Sequence, residues 1–244
     1  MKALVPIFFL GLFTTAEAQT IKFVTEEYPP YNFSTENGPS GAAVDQVKRI
    51  MERLKQPYTI EVLPWARAFM LAETDPAYCV FTTGHDAKRD KKFQWVEPLL
   101  VDHMVMVRHA GSDIAPASLE AARQYTVGTQ REDFSATYLR DHDFPKIDYA
   151  ANLDSSVKKL IAGRVDLLMT SEKTFQSMRA EGKPVEAALV LEGKLYGIAC
   201  HRDVSRATVA AMQRELDRLV GNGTQDEIFK HYGLTPNASL RAEK

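Results

Sequence analysis

The spacing of hydrophobic residues predicts a β-α-β-α-β unit in the N-terminal part of the chain. Strand-like runs, either apolar throughout or alternating, occupy residues 21–25, 58–63 and 77–83. The first helix between them has an apolar face with helical spacing, formed by Val44, Val47, Met51 and Leu54. Pro64 opens a short second helix, where a missing N–H costs little. This alternation indicates a mainly parallel sheet with helices on its faces.

A second unit of the same kind follows. Its strand-like runs occupy residues 101–109, 125–129, 146–150 and 165–169. We expect helices to begin near Phe134, Asn152 and Ser171, with Asn152 as an N-cap. Gly163 is predicted to end the helix that Asn152 caps. The repetition of the pattern predicts a second lobe.

The C-terminal part adds one strand and two helices. Residues 195–202 form the strand, and the helix after it has its apolar face at Val209, Met212, Leu216 and Leu219. Thr224 and Glu227 are expected to form a capping box for the last helix. Two α/β units joined by strands predict an α/β fold of two lobes. Ligands in such folds bind at the carboxyl ends of the parallel strands, which here border the cleft between the lobes.

The segment "TEEYPPYNF", residues 25–33, follows the carboxyl end of the first predicted strand. Tyr28 and Tyr31 bracket two prolines, which fix φ and lower the entropic cost of ordering the aromatic rings. Two interpretations stay open at this point. The aromatic side chains face the cleft and contact a ligand, or the corner packs over the core.

Residues 1–18 are expected to be a secretory signal peptide. Lys2 precedes an apolar stretch that is shorter than the about 20 residues of a membrane span. Ala16, Glu17 and Ala18 form a small-x-small cleavage site. The alternative is a buried N-terminal helix. Cleavage after Ala18 predicts an exported protein, and we expect it in the periplasm.

Charge and cysteine content narrow the classes of function. The formal net charge is −2, so no basic excess favours phosphate contacts and a nucleic-acid partner is not expected. Cys79 and Cys200 form an even pair, which predicts a disulfide in an oxidising compartment or two buried thiols otherwise. The histidines are scattered and the sequence contains neither CxxC nor HExxH, so no metal site and no cofactor are predicted.

Five segments in consistent order resemble the bacterial extracellular solute-binding proteins of family 3, the polar amino acid type. They are "TEEYPPYNFSTENGPSGAAVDQVKRIMERL", "LPWARAFMLAE", "FTTGHDAKRDKKFQWVEPLL", "LIAGRVDLLMTSE" and "GTQDEIFKHYG". The resemblance implies a two-lobed periplasmic-binding-protein fold of type II. Lobe 1 would comprise residues 19–103 and 196–244, and lobe 2 residues 104–195. In that family the strands that here contain Cys79 and Cys200 are neighbours in lobe 1, which implies that the two cysteines are close and able to bond.

The resemblance also implies how a ligand binds. Tyr28 matches the aromatic residue that stacks on the ligand in this family. Arg89 matches the arginine that holds the ligand's α-carboxylate, a task that suits its planar fork. The other implied contacts are Trp65, Thr82, Thr83 and Gly84. Each assignment has a structural alternative, because Arg89 lies in the charged run "AKRDKK" and Trp65 fits a hydrophobic core equally well.

One departure concerns the ligand's amine. The family places an aspartate after the "GR-x-D" strand to accept an ammonium, and that position is Ser171 here. A serine hydroxyl supplies no charge to compensate a buried ammonium. Glu172, or Asp133 or Glu132 of "REDF", could replace the aspartate. Otherwise the ligand lacks an α-ammonium or the cleft stays open. We favour a ligand that is not a standard α-amino acid bound in the usual way.

The sequence therefore predicts a monomeric periplasmic protein that captures a small carboxylate-bearing solute, an amino acid or a derivative. Its partner would be an ABC permease or a membrane sensor. One alternative is an enzyme resembling cyclohexadienyl dehydratase, with Glu172 as general acid. The other is a ligand-sensing domain without a role in transport. The enzyme is disfavoured because the sequence offers no nucleophile–base pair in a recognisable arrangement.

Overall fold

The computed structural model describes residues 20–236, so the predicted signal peptide at residues 1–18 lies outside the described residues. The strands are β1 (Ile21–Thr25), β2 (Phe33–Thr35), β3 (Gly38–Ser40), β4 (Tyr58–Val62), β5 (Tyr78–Gly84), β6 (Phe93–His109), β7 (Val127–Gln130), β8 (Ile147–Ala150), β9 (Leu167–Ser171) and β10 (Val185–His201). The helices are α1 (Ala42–Leu54), α2 (Trp65–Thr74), α3 (Ala87–Asp90), α4 (Leu119–Ala122), α5 (Phe134–Asp141), α6 (Leu153–Ile161), α7 (Glu172–Ala180), α8 (Arg206–Gly221) and α9 (Thr224–His231).

Two long strands connect the halves of one sheet. Over residues 20–236 the main sheet has eight strands in the order β4-β1-β5-β10-β6-β9-β7-β8. The strands at each end of the sheet pair in parallel, whereas β6 and β10 pair antiparallel to each other and to their outer neighbours. Each of these two strands is 17 residues long and crosses from one half to the other. The crossing by strands agrees with the expectation from the sequence that strands join the two α/β units.

Both crossing strands are longer than the sequence predicted. β6 begins at Phe93 rather than near residue 101, and β10 begins at Val185 rather than near residue 195. The missed part of β6 contains Pro98, which usually argues against a central strand. The missed part of β10 is half-exposed and polar at several positions, so its pattern is weaker than that of the buried end.

Each half has a hydrophobic core on both faces of the sheet, and we call the halves lobe 1 and lobe 2. In lobe 1, one cluster packs α1, α8 and α9 against the sheet and another packs α2. In lobe 2, one cluster includes α4 and α5 and the other includes α6 and α7. This is the two-lobed α/β architecture with an interlobe cleft that the sequence predicted. The exact lobe boundaries near residues 103 and 196 stay a prediction.

The predicted disulfide forms within lobe 1. Cys79 of β5 and Cys200 of β10 stand opposite each other in an antiparallel pair, with Cα atoms 3.9 Å apart. The bond joins strands separated by 121 residues in the sequence. It therefore ties the returning C-terminal part of lobe 1 to its N-terminal part, and the alternative of two free buried thiols is wrong.

Two local predictions differ from the structure. The capping box is wrong, because α9 begins at Thr224 itself and Gly223, with φ of 82°, is the N-cap. Asn222 Oδ1 instead accepts a hydrogen bond of 3.0 Å from the Thr224 N–H. The hairpin of β2 and β3 was not predicted, since strands of three residues are too short to show alternation. Among the described helices, none combines the length and the apolar composition needed to span a bilayer.

Candidate functional site

The corner after β1 joins the two lobes. Tyr31 is buried in the core of lobe 1 and donates a hydrogen bond of 2.6 Å to Asp102 Oδ2. The Tyr28 hydroxyl reaches lobe 2, where it lies 3.2 Å from Thr170 Oγ1 and accepts a hydrogen bond of 3.0 Å from the Ser171 N–H. Burial raises the pKa of Tyr28 to about 12, so this phenol keeps its proton. The Tyr31 ring thus covers the core of lobe 1, and the Tyr28 side chain spans the cleft between the lobes.

Arg89 is buried between the lobes, and its guanidinium is already bonded to the protein. Nη1 donates to the Gly84 carbonyl in lobe 1 at 3.0 Å, and Nη2 donates to the Glu132 carbonyl in lobe 2 at 2.6 Å. Nε lies 3.7 Å from Asp86 Oδ2. Burial lowers the pKa of Arg89, and the nearby negative charge of Asp133 opposes that shift most strongly. Arg89 therefore acts as a bridge between the lobes in this structure.

Glu26 makes a second polar contact across the cleft. It follows β1, is 6% exposed, and accepts a hydrogen bond of 2.8 Å from Gln130 Nε2 at the end of β7. Burial raises the pKa of Glu26 well above its ordinary value, and the negative charge of Asp133 adds to the rise. The hydrogen bond from Gln130 and the charge of Arg89 oppose it. The Gln130 Oε1 atom is buried and has no hydrogen-bond partner among residues 20–236.

Phe134 of lobe 2 fills the space beside Gly84. A Cβ atom at Gly84 would lie 3.0 Å from two carbon atoms of the Phe134 side chain, which is tighter than ordinary packing. The Thr82 and Thr83 hydroxyls donate hydrogen bonds of 2.5 and 3.2 Å to acceptors inside lobe 1. The polar groups predicted to surround a ligand carboxylate thus bond to the protein itself. We call this region the Arg89 cluster, formed by Gly84, Arg89, Glu132, Asp133 and Phe134.

A cavity of about 390 Å³ lies between the lobes next to Glu26. Its lining comprises Glu26, Glu27, Pro29, residues 62–65, Asn152, Leu153, Asp154, Val157 and Lys183. Its volume is within the range of small-molecule sites. Trp65 is 2% exposed, and its indole N–H has no hydrogen-bond partner in the described part of the chain. Because Trp65 is the lining residue that the sequence had singled out, we call this space the Trp65 cavity.

The serine at the position of the family's aspartate and one of the proposed replacements for that aspartate both serve as helix caps. Ser171 is the N-cap of α7, and its Oγ accepts a hydrogen bond of 3.2 Å from the Thr174 N–H. Asp133 is the N-cap of α5 and accepts a hydrogen bond of 2.8 Å from the Ser135 N–H. Neither residue is part of the described lining of the Trp65 cavity. Asp133 acts on the electrostatics of the cleft through Arg89 and Glu26.

Glu172 lies against β6 and outside the described lining of the Trp65 cavity. Its carboxylate is 3.4 Å from His103 Nδ1. Together with Asp102, these two side chains place three atoms of the kind that bind metal ions within 4.8 Å of one another. The sequence did not predict this grouping. Asp102 already accepts hydrogen bonds from the Tyr31 hydroxyl and from the backbone N–H groups of His103 and Lys173. These bonds account for the buried carboxylate as a link between β6 and α7.

Sequence reasoning missed Glu26 and Gln130 as site residues. Both stand at the carboxyl ends of parallel strands, β1 and β7, where ligand-facing side chains are expected. The signal was therefore present for Glu26 in the "TEE" that precedes Tyr28. The pairing of these two residues across the cleft depends on how the lobes meet, and the sequence contains no local pattern for that.

Known structures share this fold at low sequence identity. A histidine kinase sensor domain with similarity to periplasmic binding proteins has a TM-score of 0.82 and 19% identity, covering 90% of this chain and 99% of that one. An ancestral arginine-binding protein bound to arginine has a TM-score of 0.79 and 21% identity, covering 88% and 99%. The arginine-, lysine-, histidine-binding protein ArtJ from Geobacillus stearothermophilus has a TM-score of 0.81 and 15% identity, covering 92% and 100%.

The sequence itself identifies a protein family over almost the whole described chain. Among curated proteins, no sequence matches this one significantly. The family model described as bacterial extracellular solute-binding proteins, family 3, matches residues 21–235. That range includes both lobes, the two crossing strands and every residue of the Arg89 cluster and the Trp65 cavity. The chain therefore belongs to the bacterial extracellular solute-binding proteins of family 3.

Proposed function

We propose that this protein encloses a small solute between its two lobes and presents the closed form to a membrane partner, an ABC permease or a membrane sensor. The observation that carries the proposal is the Trp65 cavity, which lies between the lobes and contains a buried aromatic residue with an unpartnered donor within the described chain. Ligand binding is the simplest function for such a cavity, because a ligand held between the lobes shifts the equilibrium between open and closed forms toward the closed form.

Hydrogen bonds between the lobes across the cleft stabilise the closed form. Glu26 meets Gln130, Tyr28 meets Thr170, and Arg89 reaches the second lobe through a backbone carbonyl. Of the residues that make these contacts, Glu26 also lines the cavity. A ligand that binds both walls of the cavity adds to them and therefore favours the closed form.

One of the similar structures supports a membrane sensor as the partner. One similar structure is a histidine kinase sensor domain, and others bind arginine or a group of basic amino acids. These properties belong to those proteins. For this chain we propose a monomer in the periplasm, with transport and sensing as alternative outputs of the same binding event. A carboxylate-bearing ligand, an amino acid or a derivative, stays a prediction from the family resemblance.

The enzyme alternative gains no support from the geometry. It assigned a general acid to Glu172, whose carboxylate contacts His103 and lies outside the described lining of the cavity. A general acid must come within hydrogen-bond reach of the substrate atom that it protonates. A dehydratase that uses Glu172 would therefore need a substrate position other than the Trp65 cavity.

The two tryptophans of the chain provide a direct test. Trp65 lines the cavity, whereas Trp95 of β6 stacks on His85 outside the described lining. The protein from residue 19 onward would be screened by thermal shift against amino acids, amines and small carboxylates. Any compound that raises the melting temperature would then be titrated into Trp95→Phe, which retains Trp65, and into Trp65→Phe, which retains Trp95.

We expect a stabilising compound to change the emission of Trp95→Phe at saturation. We expect it to leave the emission of Trp65→Phe unchanged over the same concentrations. A panel in which no compound stabilises the protein would contradict the proposed function. A response confined to Trp65→Phe, the variant that retains Trp95, would place the ligand outside the Trp65 cavity.

A further inference from the structure

We propose that Glu26 and Gln130 form a proton-dependent contact between the lobes, the Glu26–Gln130 latch. Closing the cleft brings a proton onto the Glu26 carboxyl, which then donates a hydrogen bond to the amide oxygen of Gln130. The lobes therefore close more readily in an acidic medium. This inference concerns closure itself and is tested without a ligand. The hydrogen bonding of Gln130, the burial of both side chains and the charges around them each support it.

Gln130 is bonded through only one half of its amide. Its Nε2 donates a hydrogen bond of 2.8 Å across the cleft to Glu26 Oε2. Its Oε1 is buried and has no hydrogen-bond donor among residues 20–236. An ionised carboxylate only accepts hydrogen bonds, so Glu26 in that form cannot supply the donor. Buried acceptors without a donor are uncommon in folded proteins because they cost free energy.

A protonated Glu26 satisfies both halves of the amide. A carboxylic acid has one O–H donor and can still accept hydrogen bonds. The two polar atoms of an amide share one carbon, so a carboxyl that accepts from Nε2 with one oxygen can donate to Oε1 with the other. The resulting cyclic pair joins the residue after β1, in lobe 1, to the last residue of β7, in lobe 2.

The surroundings of Glu26 favour the uncharged acid when the lobes are closed. Glu26 is 6% exposed and Gln130 is 4% exposed, so water reaches neither side chain freely. Burial raises the pKa of Glu26 well above its ordinary value of 4.5, and the negative charge of Asp133 in lobe 2 adds to that rise. Glu27 adds a smaller rise to this pKa, whereas the Nε2 bond of Gln130 and the positive charge of Arg89 oppose it.

The charged residues of lobe 2 that line the same cavity offer Glu26 no cation. Asp154 of α6 pairs with Lys158 at 2.6 Å, and Lys183 pairs with Glu181 at 2.8 Å. These two ion pairs largely compensate the charges on that wall. Within the described chain the direct side-chain partner of the Glu26 carboxyl is the uncharged amide of Gln130. Protonation is therefore the way in which this carboxyl loses its charge on closure.

The direction of the pH dependence follows from the exposure of Glu26 in the two forms. Opening the cleft returns Glu26 to water and its pKa towards 4.5, and below that pKa both forms carry the proton and the latch contributes fully. Between this pKa and the raised pKa, closing takes up a proton, and the closure equilibrium falls by up to tenfold per pH unit. Above the raised pKa the contribution is lost. A solute would thus be held more tightly at low pH, a consequence that rests on the proposed function.

Small-angle X-ray scattering of the unliganded protein, from residue 19 onward, measures closure. Scattering curves from about pH 5 to about pH 8 would be fitted as mixtures of a closed and an open form. We expect the ratio of closed to open protein to fall at least tenfold across this range. A ratio that stays constant or rises with pH would overturn the inference.

Glu26→Gln imitates the protonated carboxyl at every pH. Its new amide can donate to Gln130 Oε1 and accept from Gln130 Nε2, so the cyclic pair forms without a proton. We expect this variant to stay closed over the whole range. A fall in the ratio as large as that of the unmodified protein would show that another group carries the pH dependence and would overturn the assignment to Glu26.

Tyr28→Phe is the matched control, because it removes an interlobe hydrogen bond that does not involve Glu26. The Tyr28 hydroxyl accepts from the Ser171 N–H, and the pKa of about 12 keeps its proton in place throughout the range. We expect Tyr28→Phe to lower the ratio of closed to open protein at every pH and to retain the tenfold fall. Loss of the pH dependence in this variant would count against the latch.

Gln130→Lys separates the latch from the burial of a carboxyl alone. An ammonium donates hydrogen bonds but accepts none, so it pairs with the ionised form of Glu26. We expect the ratio of closed to open protein in this variant to rise with pH, the reverse of the unmodified protein. Thermal unfolding verifies that the variant folds. An unchanged pH profile in folded Gln130→Lys would show that Gln130 takes no part and would overturn the latch.

Nuclear magnetic resonance detects the proton itself. In protein labelled with carbon-13 glutamate, the Cδ resonance that is missing from Glu26→Gln belongs to Glu26. We expect this resonance to report a pKa of Glu26 above the ordinary value of 4.5 in the unliganded protein. A pKa of Glu26 at or below that value would overturn the inference even if closure depends on pH.

These outcomes are separate from those of the proposed function, since no sample contains a solute. A constant closed-to-open ratio together with a stabilising compound in the thermal-shift panel overturns the latch while solute binding stands. A panel without any stabilising compound contradicts solute binding, and the pH profile of the unliganded protein then decides the latch alone.

Discussion

The Arg89 cluster and the Trp65 cavity lie in the same cleft, yet they differ in how their polar groups are satisfied. In the Arg89 cluster the guanidinium bonds to carbonyls of both lobes, and Phe134 packs closely against Gly84. By contrast, the indole N–H of Trp65, which lines the cavity, and Oε1 of Gln130, which bonds to the lining residue Glu26, lack partners within residues 20–236. A residue that matches a ligand contact of its family shows where in the fold that contact would lie. Its neighbours in the structure decide whether its hydrogen-bond donors remain free for a ligand.

The largest expected effect comes from removing Arg89. As a buried bridge, Arg89 balances Asp86 and Asp133 and joins the lobes, so Arg89→Ala leaves two partly buried carboxylates without their compensating charge. We expect a loss of about 3–5 kcal/mol in the free energy of unfolding without ligand, the cost of breaking a buried ion pair. Urea denaturation followed by circular dichroism measures it.

The neighbouring residue provides the control for Arg89. Lys88 also reaches lobe 2, through an exposed ion pair of 2.6 Å with Asp141. We expect Lys88→Ala to change the free energy of unfolding by less than about 1 kcal/mol. If Arg89→Ala were as stable as Lys88→Ala but no longer bound the ligand, Arg89 would be a ligand clamp after all and the comparison would be wrong.

The sequence predicted the lobes well because their signals are local. The helical spacing in α1 and the Asn152 cap of α6 depend on residues within a few turns of each other. The disulfide of Cys79 with Cys200 depends on strand neighbours and required the family resemblance. Contacts across the cleft are not encoded in a local pattern, so the Glu132 carbonyl that occupies Arg89 could not be foreseen.

The lack of a local sequence signal for contacts across the cleft also explains why the site was predicted less well than the fold. Trp65 was singled out from its position in the family pattern, with a place in the core as the alternative, and the structure places it both in the cavity lining and in a core cluster of lobe 1. Ser171 was flagged because it lacks a charge, and the structure uses it as the cap of α7. Gly84 gave no signal for the close approach of Phe134, because that contact arises from lobe 2, 50 residues further along the chain.

A smaller effect is expected from adding a methyl group to the Arg89 cluster. In Gly84→Ala the new Cβ would lie 3.0 Å from Phe134, and the lobes or the ring must shift. Overpacking of this kind costs about 1–3 kcal/mol, measured by urea denaturation. We expect Phe134→Leu to recover part of the loss when the two changes are combined, since the residues are in contact.

Gly193 in β10 is the matched glycine for this test. A Cβ there would lie 3.7 Å from His103, an ordinary contact distance. We expect Gly193→Ala to be neutral or stabilising by about 0.4–1 kcal/mol, through a smaller entropy of the unfolded chain. Equal destabilisation by Gly84→Ala and Gly193→Ala would show that the Phe134 contact is not what closes this side of the cleft.

The Tyr28 hydroxyl provides a further test of the contacts between the lobes, with a smaller expected loss of stability. Tyr28→Phe keeps the ring and removes the hydroxyl that meets Thr170 and accepts from the Ser171 N–H. We expect a loss of about 1 kcal/mol in the free energy of unfolding, the net value of a typical hydrogen bond. Tyr149→Phe is the control, because the Tyr149 hydroxyl makes no hydrogen bond among residues 20–236. Identical losses in both variants would argue against an interlobe role for the Tyr28 hydroxyl.

The last expected effect is a change in the pH dependence of stability, and it concerns the residue that borders both regions. Burial raises the pKa of Glu26 above its ordinary value of 4.5, with Asp133 and Glu27 adding to the rise and Arg89 opposing it. Below the ordinary value both the folded and the unfolded chain carry the Glu26 proton, and the full stabilising contribution is present. As the pH rises further, the unfolded chain loses the proton first, so the contribution declines until the pH passes the raised pKa.

Glu26→Gln removes this contribution to the pH profile while keeping an uncharged polar side chain beside Gln130. We therefore expect the unliganded protein to lose stability relative to Glu26→Gln as the pH increases from about 4.5 towards neutrality. Melting temperatures of the two proteins across this range, plotted as a difference, give the slope directly. A flat difference for Glu26→Gln would mean that Glu26 is solvated in the unliganded protein and that the cleft around it is open.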